Sequence, residues 1–141
     1  MTKGPTLTFQ CPIHVKKTGG KKKLQNGVAP LPVPVIPGNI PRVSRLLALA
    51  HRFERSLDDE RARDFADLAR VGRVTRARIT QIMNLLLLAP DIQEELLFLP
   101  RTVQGRDPIT ERHLRSIVAE PAWPAQRRLW QRLKSEVYES V

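Results

Sequence analysis

Between residues 64 and 88, apolar residues recur at helical spacing on both sides of a short polar turn. The first set lies on one face of a short helix and consists of Phe65, Leu68 and Ala69. The second set follows the N-capping residue Thr75 and consists of Ile79, Ile82, Met83 and Leu86. Gly72 is expected to begin the turn and Val74 to fill the wedge between the helices. This pattern predicts a helix-turn-helix.

The same spacing predicts further helices before and after this motif. A helix of about fifteen residues beginning at Pro41 would carry one apolar stripe formed by Val43, Leu46, Leu47, Ala50, Phe53 and Leu57. After the break at Pro90, Ile92, Leu96 and Leu97 would pack against that helix, and Thr110 would cap a helix carrying Leu114, Ile117 and Val118. A last helix over 125–138 presents Leu129, Trp130, Leu133 and Val137, which either join the core or pair with a second copy. We therefore expect an all-α fold, a helix-turn-helix bundle of five to six helices.

The outward face of the second motif helix carries side chains suited to nucleic acid. The candidates for reading base edges are Thr75, Arg76, Arg78, Thr80, Gln81 and Asn84. Arg70 and Arg73 are candidates for phosphate contacts, and no acidic residue occurs between Asp67 and Asp91. An ordinary helical hairpin with a solvated basic face is the alternative, although such faces usually mix both signs of charge.

Residues 1–41 differ in composition from the rest of the chain. They contain seven of the twelve prolines, five of the seven glycines, six lysines and no acid. This basic, proline-rich arm is either disordered or forms a short β-hairpin, with alternating residues from Leu7 to Val15, a turn at 18–20 and a second strand at 21–24. The lysines expected to follow phosphates are Lys16, Lys17, Lys21, Lys22 and Lys23. Residues 29–41 resemble a semi-rigid polyproline spacer, so the predicted domains are 1–41 and 42–141.

The net charge of +10 and the pI near 10.8 favour a polyanionic partner, and nucleic acid is the commonest one. No run of 18 apolar residues and no signal peptide is present, so we expect no membrane partner and a cytoplasmic, nucleoid-associated location. The sequence contains no phosphate loop, HExxH or nucleophile elbow, which predicts that the protein is not an enzyme and needs no cofactor. Cys11 and His14 have zinc-like spacing but no convincing further ligands, so no metal site is predicted.

The stretch LARVGRVTRARITQIMNLLLLAPDIQEELL resembles the helix-turn-helix core of the ParB and KorB family of DNA-binding proteins. The following GRDPITERHLRSIV is similar to the next element of that family, and the resemblance covers roughly residues 62–118. Gly72 lies one residue earlier than is usual in the family, where Arg73 takes the usual glycine position. Nothing before Arg42 resembles the family's nucleotide-binding domain, so the resemblance implies DNA reading without CTP binding.

Together these features predict sequence-specific binding of double-stranded DNA, most simply by a transcriptional regulator that acts as a homodimer on an inverted repeat. Residues 41–54, PRVSRLLALAHRFE, with the helix-turn-helix, are also similar to small proteins of mobile elements. An accessory factor in site-specific recombination is therefore a second hypothesis, in which the arm contacts a recombinase or another protein. The third is a protein-binding adaptor that uses the hairpin and the last helix.

Overall fold

The computed structural model describes residue 4, residues 10–27 and residues 31–139. The chain divides into two compact units, Met1–Ile36 and Pro37–Val141. The second unit begins five residues before the boundary expected from composition, since the sequence placed that boundary between residues 41 and 42.

The first unit contains two antiparallel strands, β1 (Ile13–Thr18) and β2 (Lys21–Asn26). Gly19 and Gly20 join them with φ values of 57° and 80°, the backbone conformation that a tight two-residue hairpin turn requires. The predicted first strand reached back to Leu7, but the pairing begins only after Pro12, which has no N–H to donate to the ladder. Leu7 and Phe9 lie outside the described residues.

The second unit is helical, as the sequence predicted. Its elements are α1 (Arg42–Asp58), α2 (Phe65–Gly72), α3 (Arg76–Met83), a 3-10 helix (Asn84–Leu87), α4 (Pro90–Leu97), α5 (Glu111–Val118) and α6 (Trp123–Tyr138). None of the helices in the described parts of the chain has both the length and the apolar character needed to span a bilayer.

The larger hydrophobic cluster joins every helical element except α2 and α3. Its buried residues are Val43, Leu47, Leu85, Leu88, Ala89, Ile92, Leu96, Ile109, Leu114, Ile117 and Trp130. The expected packing of Ile92 and Leu96 against α1 is present, since both share this cluster with Val43 and Leu47. The hydroxyl of Ser44, also buried, donates to the carbonyl of Leu96 at 2.6 Å and adds a polar contact between α1 and α4.

Residues 37–41 belong to the helical unit because backbone hydrogen bonds hold them to a later loop. Asn39 and Thr102 exchange two such bonds, each 2.9 Å long. Gly38 has a φ of 95°, and a Cβ atom there would lie 3.0 Å from the Thr102 carbonyl, so this position requires glycine. Asp107 accepts a hydrogen bond from the Arg42 backbone N–H at 2.7 Å, which supplies the cap that Pro41 cannot provide. That bond, together with one from the Thr102 hydroxyl, lowers the pKa of Asp107.

The last helix begins two residues earlier than predicted. Its first residue is Trp123, and Pro124 suits the first helical turn. Of the two expectations for its apolar stripe, the structure places Trp130, Leu133 and Val137 against the larger cluster, whereas Leu129 stays 37% exposed. Most of this stripe is therefore core and is not available for pairing with a second copy.

Candidate nucleic-acid interface

Helix α2 is fixed at its start by local polar contacts. The Asp64 side chain caps it and accepts a hydrogen bond from the Asp67 backbone N–H at 2.9 Å. The Arg63 guanidinium donates to both oxygens of Asp67, at 2.9 and 3.2 Å, and this contact holds the pKa of that carboxyl well below its usual range. Arg70, a predicted phosphate ligand, is exposed and approaches the same carboxylate at 3.5 Å.

The sequence predicted that Gly72 begins the turn after α2, but Arg73 has the left-handed conformation there. Gly72 is the last residue of α2, and Arg73 adopts the left-handed conformation with φ 52° and ψ 42°. The Val74 N–H donates to the Ala69 carbonyl at 3.0 Å and the Arg73 N–H to the Arg70 carbonyl at 3.4 Å, the hydrogen-bond pattern of a Schellman motif. Val74 does not fill the wedge, because 43% of its surface is exposed.

Helix α3 begins at Arg76 and is capped by Thr75, whose hydroxyl accepts a hydrogen bond from the Arg78 backbone N–H at 3.1 Å. Its inner residues Ile79 and Ile82 are buried, as predicted. Ile79 belongs to a second hydrophobic cluster, the helix-turn-helix cluster, whose buried residues are Ala62, Leu68, Ala69 and Ile79. Partly buried side chains that complete it are Phe53, Leu57, Phe65 and Met83. The two motif helices are thus packed on each other and on α1.

The predicted base-reading residues other than Arg78 are all exposed: Thr75, Arg76, Thr80, Gln81 and Asn84. Three of them already have local hydrogen bonds. Thr75 caps α3, the Thr80 hydroxyl donates to the Arg76 carbonyl at 3.2 Å, and the Gln81 side-chain oxygen accepts from Arg78. Arg73 and Arg76 are exposed and make no ion pair with any described residue. Because they are exposed and unpaired, these two arginines are the positively charged residues of the motif that are most accessible to an anionic ligand.

Arg78 is engaged within the protein. Its Nη1 atom donates to both carboxylate oxygens of Glu111, at 2.7 and 3.0 Å, and to the side-chain oxygen of Gln81 at 3.1 Å. The Arg78 and Glu111 side chains are only 25% and 18% exposed. The sequence shows no acid between Asp67 and Asp91, but the fold brings one to this surface from the first turn of α5, 33 residues away.

The motif helix ends at Met83, earlier than its apolar spacing suggested. Asn84 begins the 3-10 helix instead, and two glutamine side chains bind the carbonyls that follow. Gln93 donates to the carbonyls of Leu86 and Leu88, at 3.0 and 2.8 Å. Gln126 is buried, donates to the Leu87 carbonyl at 3.1 Å and accepts from the Ala89 N–H at 2.8 Å. Neither glutamine was singled out from the sequence, and the Leu87 and Ala89 partners of Gln126 are distant from it in the chain.

A groove of about 500 Å³ lies between α5 and the segment formed by the end of α3 and the 3-10 helix. Gln81 and Asn84 line it on one side, and Glu111 and Arg115 on the other. From the sequence, Arg115 is a candidate for contact with the DNA backbone, with a solvated basic surface as the alternative, and the fold places it beside two of the predicted base readers. Its exposed side chain extends the basic surface of the motif.

The five predicted arm lysines all fall in the hairpin of the first unit. The strand register sets Lys16 opposite Lys23 and Lys17 opposite Lys22, while Lys21 pairs with Thr18. Four of the five lysines are therefore concentrated at two paired positions.

No group of three or more His, Cys, Asp or Glu side chains that could hold a metal occurs among the described residues. Cys11 is exposed. His113 has a structural role, because its Nδ1 accepts a hydrogen bond from the Thr110 backbone N–H at 3.2 Å and so forms a capping box at the start of α5. His51 lies 3.6 Å from Glu54 in the next turn of α1.

No protein-family model, curated protein sequence or solved structure matches this chain. The similarity to the ParB and KorB proteins therefore stays a prediction from the quoted residues.

Proposed function

We propose that this protein binds double-stranded DNA in a sequence-specific manner, with α3 in the major groove. The observation that carries the proposal is the division of α3 into two faces. Ile79 and Ile82 face the interior, whereas Arg76 and Gln81 are exposed on the other side. Asn84, the first residue of the 3-10 helix, is exposed directly after α3. The Schellman turn before the helix and the Thr75 cap fix its start, which is the end that most helix-turn-helix proteins present to base edges.

The charges of the motif support a DNA partner. The guanidinium groups of Arg73 and Arg76 form no ion pair with any acidic residue in the described ranges. Arg70 and Arg63 both form ion pairs with the Asp67 carboxylate. In this proposal Arg70, Arg73 and the arm lysines hold phosphates, while Arg76, Arg78, Thr80, Gln81 and Asn84 read bases, with Thr75 as the cap that also reaches the groove floor. Binding at an inverted repeat by a homodimer, and use in transcriptional regulation, complete the proposal.

The hairpin supports a second role for the arm. Ile13, Val15 and Leu24 are 59%, 55% and 68% exposed, and the register places Val15 opposite Leu24. An exposed apolar strand face of this kind is typical of a surface that meets another protein. This observation favours a contact between the arm and a protein partner, such as a recombinase, in addition to DNA binding.

The test is a selection of random duplex DNA by the full-length protein at near-physiological salt. We expect an enriched inverted repeat for the unaltered protein, and loss of that enrichment with Arg76→Ala. Arg128→Ala, which removes an exposed positive charge from α6, is the matched control and should keep the enrichment. Binding of any duplex with equal affinity by the unaltered protein would contradict the proposal and favour the adaptor hypothesis.

The salt dependence of affinity tests the arm separately. Removal of one lysine–phosphate interaction should reduce the slope of log affinity against log salt by about 0.9. Replacing Lys16, Lys17, Lys22 and Lys23 with Gln should flatten this slope without changing the enriched sequence. A slope that stays the same would remove the arm from the DNA interface.

A further inference from the structure

We propose that Glu111 is a positioning residue for DNA reading, which holds Arg78 so that its outer edge meets a guanine. This inference rests on the proposed function. Glu111 lies in α5, outside the helix-turn-helix, and the contact it supports predicts a guanine at one position of the DNA site.

The contacts of the Arg78 guanidinium are all on one nitrogen. Nη1 binds both oxygens of Glu111 and the side-chain oxygen of Gln81. Neither Nε nor Nη2 hydrogen bonds to any residue in the described ranges. These two atoms carry the parallel N–H groups on one edge of the guanidinium, which form the fork that binds planar acceptors in pairs.

Guanine offers the matching pair of acceptors, O6 and N7, in the major groove. An unrestrained arginine loses side-chain freedom when it binds such a pair, whereas an arginine already held by a carboxylate loses less. The Glu111 contact is well suited to hold it, because both side chains are partly buried and the carboxylate uses both its oxygens. Glu111 itself is fixed at the first position of a helix that Leu114 and Ile117 anchor in the larger cluster.

The ion pair with Glu111 also makes the charge of Arg78 differ in its effect on DNA from the charge of Arg76. Arg78 lies beside a carboxylate that offsets its charge. It therefore contributes little to the attraction of DNA phosphates, which is independent of the base sequence. Arg76 has no acidic partner among the described residues and attracts any phosphate. Arg78→Ala should therefore reduce base preference while changing the salt slope less than Arg76→Ala does.

The test compares four full-length variants on the duplex selected by the unaltered protein: Arg78→Ala, Glu111→Ala, Glu111→Gln and Glu94→Ala. Affinity is measured for that duplex and for duplexes with each position replaced in turn. Arg78→Ala should lower the preference for guanine at one position by about tenfold. Glu111→Ala should lower it at the same position by about threefold or more.

The other two variants control for charge and folding. Glu111→Gln retains an acceptor for Nη1 and should restore part of the guanine preference. Glu94→Ala removes an exposed negative charge from α4 and should leave every base preference unchanged. Thermal unfolding of each variant ensures that base preference is compared between folded proteins.

The outcomes separate the two proposals. If the unaltered protein selects no sequence, both the proposed function and this inference fail. If it selects a site, and Glu111→Ala keeps or strengthens the guanine preference, DNA binding stands but Glu111 competes with the base for Arg78 and the inference is overturned. If Arg78→Ala and Glu111→Ala lose the guanine preference at the same position and Glu111→Gln restores part of it, the result supports both the proposed function and the inference.

Discussion

The helical unit contains two hydrophobic clusters of very different size. The larger cluster has eleven buried residues drawn from α1, α4, α5, α6 and the segments between them. The helix-turn-helix cluster has four, of which Ala62, Leu68 and Ala69 are 6% to 8% exposed and only Ile79 is fully buried. Burial of apolar surface is the main source of stability in a domain. The motif therefore has much less of this support than the body that carries it.

Local contacts compensate for the thin packing of the motif. Asp64 and Thr75 cap its two helices, Arg63 pairs with Asp67, and two backbone hydrogen bonds close the Schellman turn. All of these contacts join residues no more than five positions apart. The shape of the motif is thus specified within a short stretch of chain, and its outer face is left to interact with a ligand.

The largest expected effect comes from the larger cluster. Leu114→Ala should lower the free energy of unfolding by about 3 to 5 kcal/mol, because Leu114 is fully buried and its loss leaves a cavity. Urea unfolding followed by circular dichroism measures the change. Leu87→Ala, at a position 57% exposed, is the matched control and should change it by less than about 0.5 kcal/mol.

A smaller and more local effect is expected from the motif. Ile79→Ala should cost about 2 to 4 kcal/mol, since Ile79 is the only fully buried side chain of the helix-turn-helix cluster. Hydrogen exchange should show that amides of α2 and α3 lose protection before those of α5. Equal loss of protection in α5 would mean that the two clusters unfold as one unit. That result would contradict the view that the helix-turn-helix is less stable than the larger cluster. Val71→Ala, at a position 75% exposed, serves as the control.

The difference between contacts of neighbouring residues and contacts of distant residues explains what the sequence could predict. Features that depend on neighbouring residues were predicted: the helical pattern around Ile79 and the Thr75 and Thr110 caps. Periodicity also identified most of the apolar residues of both clusters, because burial on one face leaves a repeat in the chain.

Features that depend on distant residues could not be predicted. The partner of Arg78 lies 33 residues away, so the exposed base reader expected from the sequence is a partly buried ion pair in the structure. Gln126 is buried because its amide satisfies backbone groups 37 and 39 residues away. A polar residue inside a helix pattern is expected to be exposed unless its partners are known.

The N-cap of α2 tests how much of the motif's stability is local. Asp64→Ala should lower the free energy of unfolding by about 1 kcal/mol, because the Asp67 backbone N–H loses its acceptor. Asp64→Asn retains an acceptor and should cost less. Chemical denaturation measures both, and equal losses for the two variants would show that charge at the helix start matters more than the hydrogen bond.

The smallest expected effect is a gain in stability at Arg73. The left-handed conformation costs a residue with a Cβ atom about 1 kcal/mol relative to glycine, and Arg73 adopts it with φ 52°. Arg73→Gly should therefore raise the free energy of unfolding by about 0.5 to 1 kcal/mol, a gain reduced by the greater freedom of glycine in the unfolded chain.

Arg73→Ala separates the backbone from the side chain, because it removes the guanidinium but keeps the Cβ atom. We expect no gain in thermal stability from Ala, whereas both variants should weaken DNA binding by a similar amount if Arg73 holds a phosphate. A stabilised glycine variant with weaker binding would indicate that arginine is favoured here for its charge at the expense of stability. A glycine variant that binds DNA as well as the unaltered protein would remove Arg73 from the proposed phosphate ligands.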